Sequence, residues 1–114
     1  PGPDMEIYYC AEIDPLGRVL DYSCRYPSKM DYSWDFSTLH VLSGLCDGGY
    51  TVAFKVSKKE LESLGVDLSS GFYMGIFRAD FRPDGSVNWY SYVSSEDESP
   101  NFHQPKMLFP VKVE

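Results

Sequence analysis

Residues 71–113, GFYMGIFRADFRPDGSVNWYSYVSSEDESPNFHQPKMLFPVKV, decide the fold. They read as two aromatic-rich strands, 72–81 and 87–93, folded back on each other at Arg82-Pro83-Asp84-Gly85. An acidic loop follows, then a Phe-His-x-Pro turn that feeds a last apolar strand. Pro at the second turn position presets φ and Gly at the fourth tolerates strained backbone, the composition of a tight turn. A hairpin accounts for rings that face a core, but not for their number. Trp89, Tyr90, Tyr92, Phe102 and His103 crowd one end of the region beside a polar loop. Flat rings with polar neighbours suit sugar binding, because the C–H faces of a pyranose stack on a ring while its hydroxyls find amides and carboxylates. The competing reading makes Trp89 and Tyr92 core residues.

Moving toward the N-terminus, Ser57-Lys58-Lys59-Glu60 has capping-box spacing: Ser57 caps a helix over 58–64 and Glu60 reaches back to its backbone. Gly65 ends that helix. Before it, residues 50–56 alternate, with Tyr50, Val52, Phe54 and Val56 against Thr51, Ala53 and Lys55, so one face belongs to a core. Cys46-Asp47-Gly48-Gly49 is a turn, and 38–42 a short strand in which His40 reads as a surface residue rather than a ligand. Residues 26–36, rich in Pro, Ser, Asp and aromatics without a period, read as a loop. Trp34 within it either plugs one end of the fold or lines a groove. Residues 5–13 form a strand, Asp14-Pro15-Leu16-Gly17 a turn, and 18–25 the antiparallel return.

The totals bound the answer. At 114 residues the chain is a single domain, 1–114, and its 43% hydrophobic content argues against wholesale disorder. Aromatic content of 16% favours β structure. A formal charge of −7 repels phosphate backbones, and Lys58-Lys59 is too short to make a basic patch, so nucleic acid is not an expected partner. No stretch has the length of a membrane span, and Pro1-Gly2-Pro3-Asp4 is not a charged-then-apolar leader, so no membrane partner is expected either. A first residue other than Met reads as a processed or excised piece. Cys10, Cys24 and Cys46 cannot all pair within one chain and show no C-x-x-C spacing, which argues against a zinc or redox motif. Cys10 reads as a small buried hydrophobe, with a disulfide between two of the three left open.

Taken together, FYMGIFRADF, WYSYV and PNFHQPKMLFPVKV, with YYCAEIDPLGRVLDYSCRYP, SWDF and GYTVAFKVSKKEL upstream, resemble carbohydrate-binding module family 9 and DOMON-like β-sandwiches. The likeness covers nearly the whole chain, except that the family's opening strands have no counterpart. It implies an all-β, antiparallel, jelly-roll-like β-sandwich, truncated at its front, with one short helix and six to eight strands. It also implies secretion, to an extracellular or periplasmic setting, and calcium in some members. In Ser94 to Asn101, calcium competes with a plain solvated loop, and the spacing there matches no defined calcium loop. By position in the family, Phe102 is a stacking ring with His103 and Gln104 as hydrogen-bonding partners; the alternative has Phe102 anchoring the turn and Pro105 starting the last strand.

Catalysis lacks a signature. There is no G-x-S-x-G, His40 and His103 lie in unrelated contexts, and Glu96, Asp97 and Glu98 are neighbours on one loop rather than carboxylates flanking a bond. The expected function is therefore non-catalytic carbohydrate binding. Trp34, Trp89, Tyr92 and Phe102 serve as rings and Arg78, His103 and Gln104 as polar contacts, assisted by Asn88 and Asp80. The alternative is a structural or protein-interaction β module that self-associates without a small ligand. A sandwich without its first strands exposes apolar sheet surface and unpaired edges, which leaves three outcomes open: a rearranged smaller sandwich, a second chain over the gap, or a lost sugar site; a homodimer through an exposed face or edge is the leading expectation.

Overall fold

The computed structural model describes residues 6–97, 99 and 101–114. The expectations touching Met5, Glu98, Pro100 and the leader positions lie outside those residues. Elements follow in the order β1 (Ile7–Ile13), β2 (Val19–Arg25), β3 (Lys29–Asp31), β4 (His40–Cys46), β5 (Gly49–Lys55), α1 (Lys58–Ser63), β6 (Phe72–Met74), β7 (Phe77–Phe81), β8 (Val87–Ser91) and β9 (Phe109–Val111). A 3-10 turn at Pro105–Met107 precedes β9. The chain is all-β, every strand pair is antiparallel, and α1 is the one α-helix among the described residues. No helix among them is long and apolar enough to cross a membrane.

The described strands fall into four sheets: β1-β2-β3, β4-β5, β6-β9 and β7-β8. Their turns follow from composition. At Asp14 to Arg18 the carboxylate accepts from the Leu16 and Arg18 amides, both at 2.9 Å, and Gly17 takes a φ of 82°. At Arg82 to Ser86 the Gly85 amide donates to the Arg82 carbonyl at 3.0 Å, Gly85 has φ 83°, and Asp84 holds the Ser86 amide. Both turns match their sequence reading, because an Asx-type carboxylate and a glycine in the left-handed region together close a hairpin.

Elsewhere tertiary contacts overrule the local pattern. The expected strand over 72–81 is broken at Gly75. A Cβ there would stand 2.6 Å from two atoms of the Phe77 ring, so that ring lies over the backbone and the chain jogs. Only β7 pairs with β8; β6 pairs with β9, which no local pattern foretells. The strand expected over 38–42 runs from His40 to Cys46, the loop over 26–36 contains β3, and the strands among the described residues number nine rather than six to eight. Pro105 opens the 3-10 turn and the last strand starts at Phe109. Ser57 caps α1 as expected, accepting from the Glu60 amide at 3.1 Å. Glu60 does not reach back: its carboxylate takes the amides of Ser37 and Thr38 and both their hydroxyls, while the Thr38 hydroxyl accepts from the Ser57 amide. Four donors on a neighbouring loop outcompete one on the helix's own start.

The buried hydrophobics among the described residues are Tyr22, Cys24 and Met107. Tyr22 and Cys24 share a β1–β2 face with Tyr8 and Cys10, which lie opposite Cys24 and Tyr22 respectively. His103 lies against this face, its ring 6.0 Å from Tyr8 and 6.1 Å from Tyr22. On the other face of β1, Tyr9, Trp34 and Phe36 form a second cluster with centroids 4.7 to 6.4 Å apart. All three cysteines are free thiols.

Candidate functional site

Register assigns the residues of the β7–β8 ribbon to its faces. Phe77 lies opposite Ser91, Ala79 opposite Trp89 and Phe81 opposite Val87; in the alternate rows, Arg78 faces Tyr90 and Asp80 faces Asn88. Side chains directly opposite in an antiparallel pair project to the same side. Trp89 and Tyr90, adjacent in sequence, therefore point to opposite sides of the ribbon.

The Trp89 side is hydrocarbon. Phe102 stacks on Phe77 at 4.3 Å with planes 13° apart, and Trp89 meets Phe102 and Phe81 edge-on at 5.6 and 6.4 Å. Trp89 keeps 47% of its surface in water and Phe81 75%. Apart from the indole N–H of Trp89 itself and the Ser91 hydroxyl, the rows on this side carry no hydrogen-bonding side chain.

The Tyr90 side combines rings with polar groups. The Arg78 guanidinium lies 5.5 Å from the Tyr50 ring centroid and 5.9 Å from that of Tyr90, and it pairs with Asp80 at 3.2 Å. The Asp80 hydrogen bond, aided by the tyrosines, raises the Arg78 pKa above its ordinary value, so the cation is permanent. In the amide orientation that satisfies its neighbours, Asn88 accepts from Arg82 Nε at 3.0 Å and Nη2 at 2.7 Å. Tyr90 is 51% exposed. The result is a shallow open surface with two phenol rings, two guanidiniums, a carboxylate and an amide.

The other expected contacts are dispersed. Tyr92 lies on Phe109 at 4.3 Å. His103 Nδ1 is 3.0 Å from the Tyr8 hydroxyl, whose pKa burial, then Cys24, pushes well above the ordinary phenol value. Gln104 donates to the Asn101 carbonyl at 2.9 Å and to Asp97 at 3.2 Å, and Trp34 sits in the Tyr9–Phe36 cluster. Of the expected set, the structure joins Trp89 with Phe102 on one side and places Arg78, with its assistants Asp80 and Asn88, on the other. Tyr50 was missed: its alternating strand gives a face, but nothing local links that face to β7.

Two concavities lie nearby. Tyr8, Phe102, Gln104, Pro105 and Leu108 surround a cavity of about 10 Å³, which holds no more than one water. Ser94, Ser95, Glu96, Asp97, Lys106 and Met107 line an open depression of about 380 Å³ that has no aromatic wall. Lys106 at 3.0 Å, then Ser95 and Gln104, hold the Asp97 carboxyl below the usual range, so this acid of the calcium candidate loop is already paired. Among the described residues no group of three or more His, Cys, Asp or Glu is placed to hold a metal ion, and Glu98 lies outside them. A comparison with family models, with characterised proteins and with solved structures finds no match to this chain.

Proposed function

We propose that the chain is a non-catalytic carbohydrate-binding module whose ligand lies on the Tyr90 side of β7–β8. The observation that carries this reading is Arg78 braced between the Tyr50 and Tyr90 rings beside Asp80. A pyranose needs an apolar ring for its C–H face and fixed donors and acceptors for its hydroxyls, within reach of one another. Here Tyr90 supplies the ring, Arg78 and Arg82 donate, and Asp80 and Asn88 accept. Cation–π contact and the ion pair hold Arg78 in place, which lowers the entropy lost on binding. The Trp89 side offers rings without such partners.

The groups on this surface suit binding rather than bond cleavage, since glycoside hydrolysis calls for two carboxyl groups facing each other across the bond. An extracellular or periplasmic setting goes with this reading, as the place where a module of the resembled kind meets glycans. Apolar residues standing in water on other elements favour self-association in addition to glycan binding. A glycan array on the purified chain, followed by calorimetry with the best oligosaccharide on wild type and Arg78→Ala, tests the proposal. Binding that weakens about tenfold or more in the variant, a loss of ~1.4 kcal/mol, supports it. No binding to any neutral or acidic oligosaccharide, or equal binding by the variant, overturns it.

A further inference from the structure

Arg82 is the arginine without an ion-pair partner among the described residues. Of the chain's four arginines, Arg18 pairs with Asp14, Arg25 with Glu6 and Arg78 with Asp80. Asp84, two residues beyond Arg82, is engaged instead by the Ser86 amide at 2.9 Å and hydroxyl at 2.6 Å. Arg82 is nonetheless oriented. Its amide donates to the Ser86 carbonyl at 2.9 Å, which continues the alternate rows of the β7–β8 ribbon, so its side chain projects on the Tyr90 side. There the Asn88 amide oxygen accepts from Nε at 3.0 Å and from Nη2 at 2.7 Å. These bonds occupy the Nε–Nη2 edge of the guanidinium, and the Nη1–Nη2 edge stays without a partner among the described residues on an exposed side chain.

That remaining edge presents two parallel N–H groups, the fork that matches the two oxygens of a carboxylate. An amide oxygen is neutral, so Asn88 fixes the plane of the guanidinium without cancelling its charge. The alternate rows therefore carry two guanidiniums against the one carboxylate of Asp80, a locally positive spot on a chain of charge −7. The bond to Asn88 draws the Arg82 head group toward the Asp80–Asn88 row. That row lies about 7 Å along the strand from the Arg78–Tyr90 row, a distance within the length of a disaccharide. Resting on the glycan site proposed above, we infer that the ligand is an acidic oligosaccharide, with a uronic-acid carboxylate docked end-on against Arg82 and a pyranose stacked on Tyr90. The net negative charge of the chain repels such a ligand at long range, so a preference for it originates at this spot.

Calorimetry with oligomers of glucuronic, galacturonic and mannuronic acid, each beside its methyl-esterified form, tests the inference. Esterification removes the charge and keeps the ring. The best-bound oligouronate is expected to bind the wild-type chain about tenfold or more tightly than its own ester. Arg82→Gln, checked for folding by circular dichroism, is expected to lose about tenfold or more in affinity for the acid and about threefold or less for the ester. The wild-type comparison decides the matter even if the variant fails to fold. Equal binding of acid and ester, or a folded variant that keeps the preference, overturns the inference and leaves a neutral-glycan site around Tyr90 standing. Tighter binding of a sulfated neutral oligosaccharide than of any uronate overturns the carboxylate assignment. No binding of any sugar overturns the glycan site itself and this inference with it.

Discussion

The two sides of the β7–β8 ribbon share one backbone and do different work. On one, Phe77, Phe102, Trp89 and Phe81 meet ring to ring and hold the 102–107 segment against the sheet. On the other, Tyr90, Arg78, Asp80 and Asn88 lie open, joined to each other and to Tyr50 and Arg82 by charge and hydrogen bonds. Trp89 has the larger ring and lies on the side with fewer polar partners. Ring size alone therefore did not place the proposed glycan site; the polar groups beside the Tyr90 ring did.

The largest effect expected to separate the two sides comes from Phe102→Ala. Removing a ring that stacks on Phe77 and abuts Trp89 should cost ~3 kcal/mol in denaturant unfolding while leaving the surface around Tyr90 intact. A loss under ~1 kcal/mol would mean that Phe102 is not an anchor. Next in size is Tyr90→Ala, expected to cut glycan affinity about tenfold, ~1.4 kcal/mol by calorimetry, with under ~1 kcal/mol change in stability because the ring is half in water. Arg78→Lys should lose about threefold in affinity, since an ammonium keeps the charge but not the planar stack on two tyrosines. If lysine binds as well as arginine, Coulomb attraction rather than geometry does the work.

A separate effect lies on the β1–β2 face, where Tyr22 and Cys24 are buried while Trp89 and Phe81 keep much of their surface in water. Burial pushes the Cys10 thiol from 9.0 up to about 11, with a hydrogen bond from Tyr22 pulling the other way. Because the folded value is the higher, the unfolded chain gives up its proton first; stability is complete below pH 9 and falls as pH rises toward about 11. Tyr8 and Tyr22, raised mainly by burial, extend the fall in the same direction. Thermal melts across that range should show the decline, and Cys10→Ala should make it shallower.

What the sequence revealed was local. Asp14 to Gly17 and Arg82 to Gly85 announce their turns because carboxylate, proline and glycine act within four residues. Ser57 announces α1 for the same reason. The break at Gly75 depends on a ring folding back over the backbone, and the β6–β9 pairing spans more than thirty residues, so neither leaves a local trace. The proposed glycan surface was partly legible. Arg78, Asp80 and Asn88 are alternate residues of a recognisable hairpin, but which ring they accompany depends on one step of register, which turns Trp89 away and Tyr90 toward them. Glu60 shows how a correct motif is diverted when a distant loop supplies more donors.

The division of labour between the two sides can be read in one spectrum. In an amide and side-chain ¹H–¹⁵N titration with an array-selected oligosaccharide, the Arg78 Nε–H signal is expected to shift while the Trp89 indole Nε1–H stays in place. A moving indole beside an unmoved guanidinium would put the ligand on the aromatic side and contradict the account.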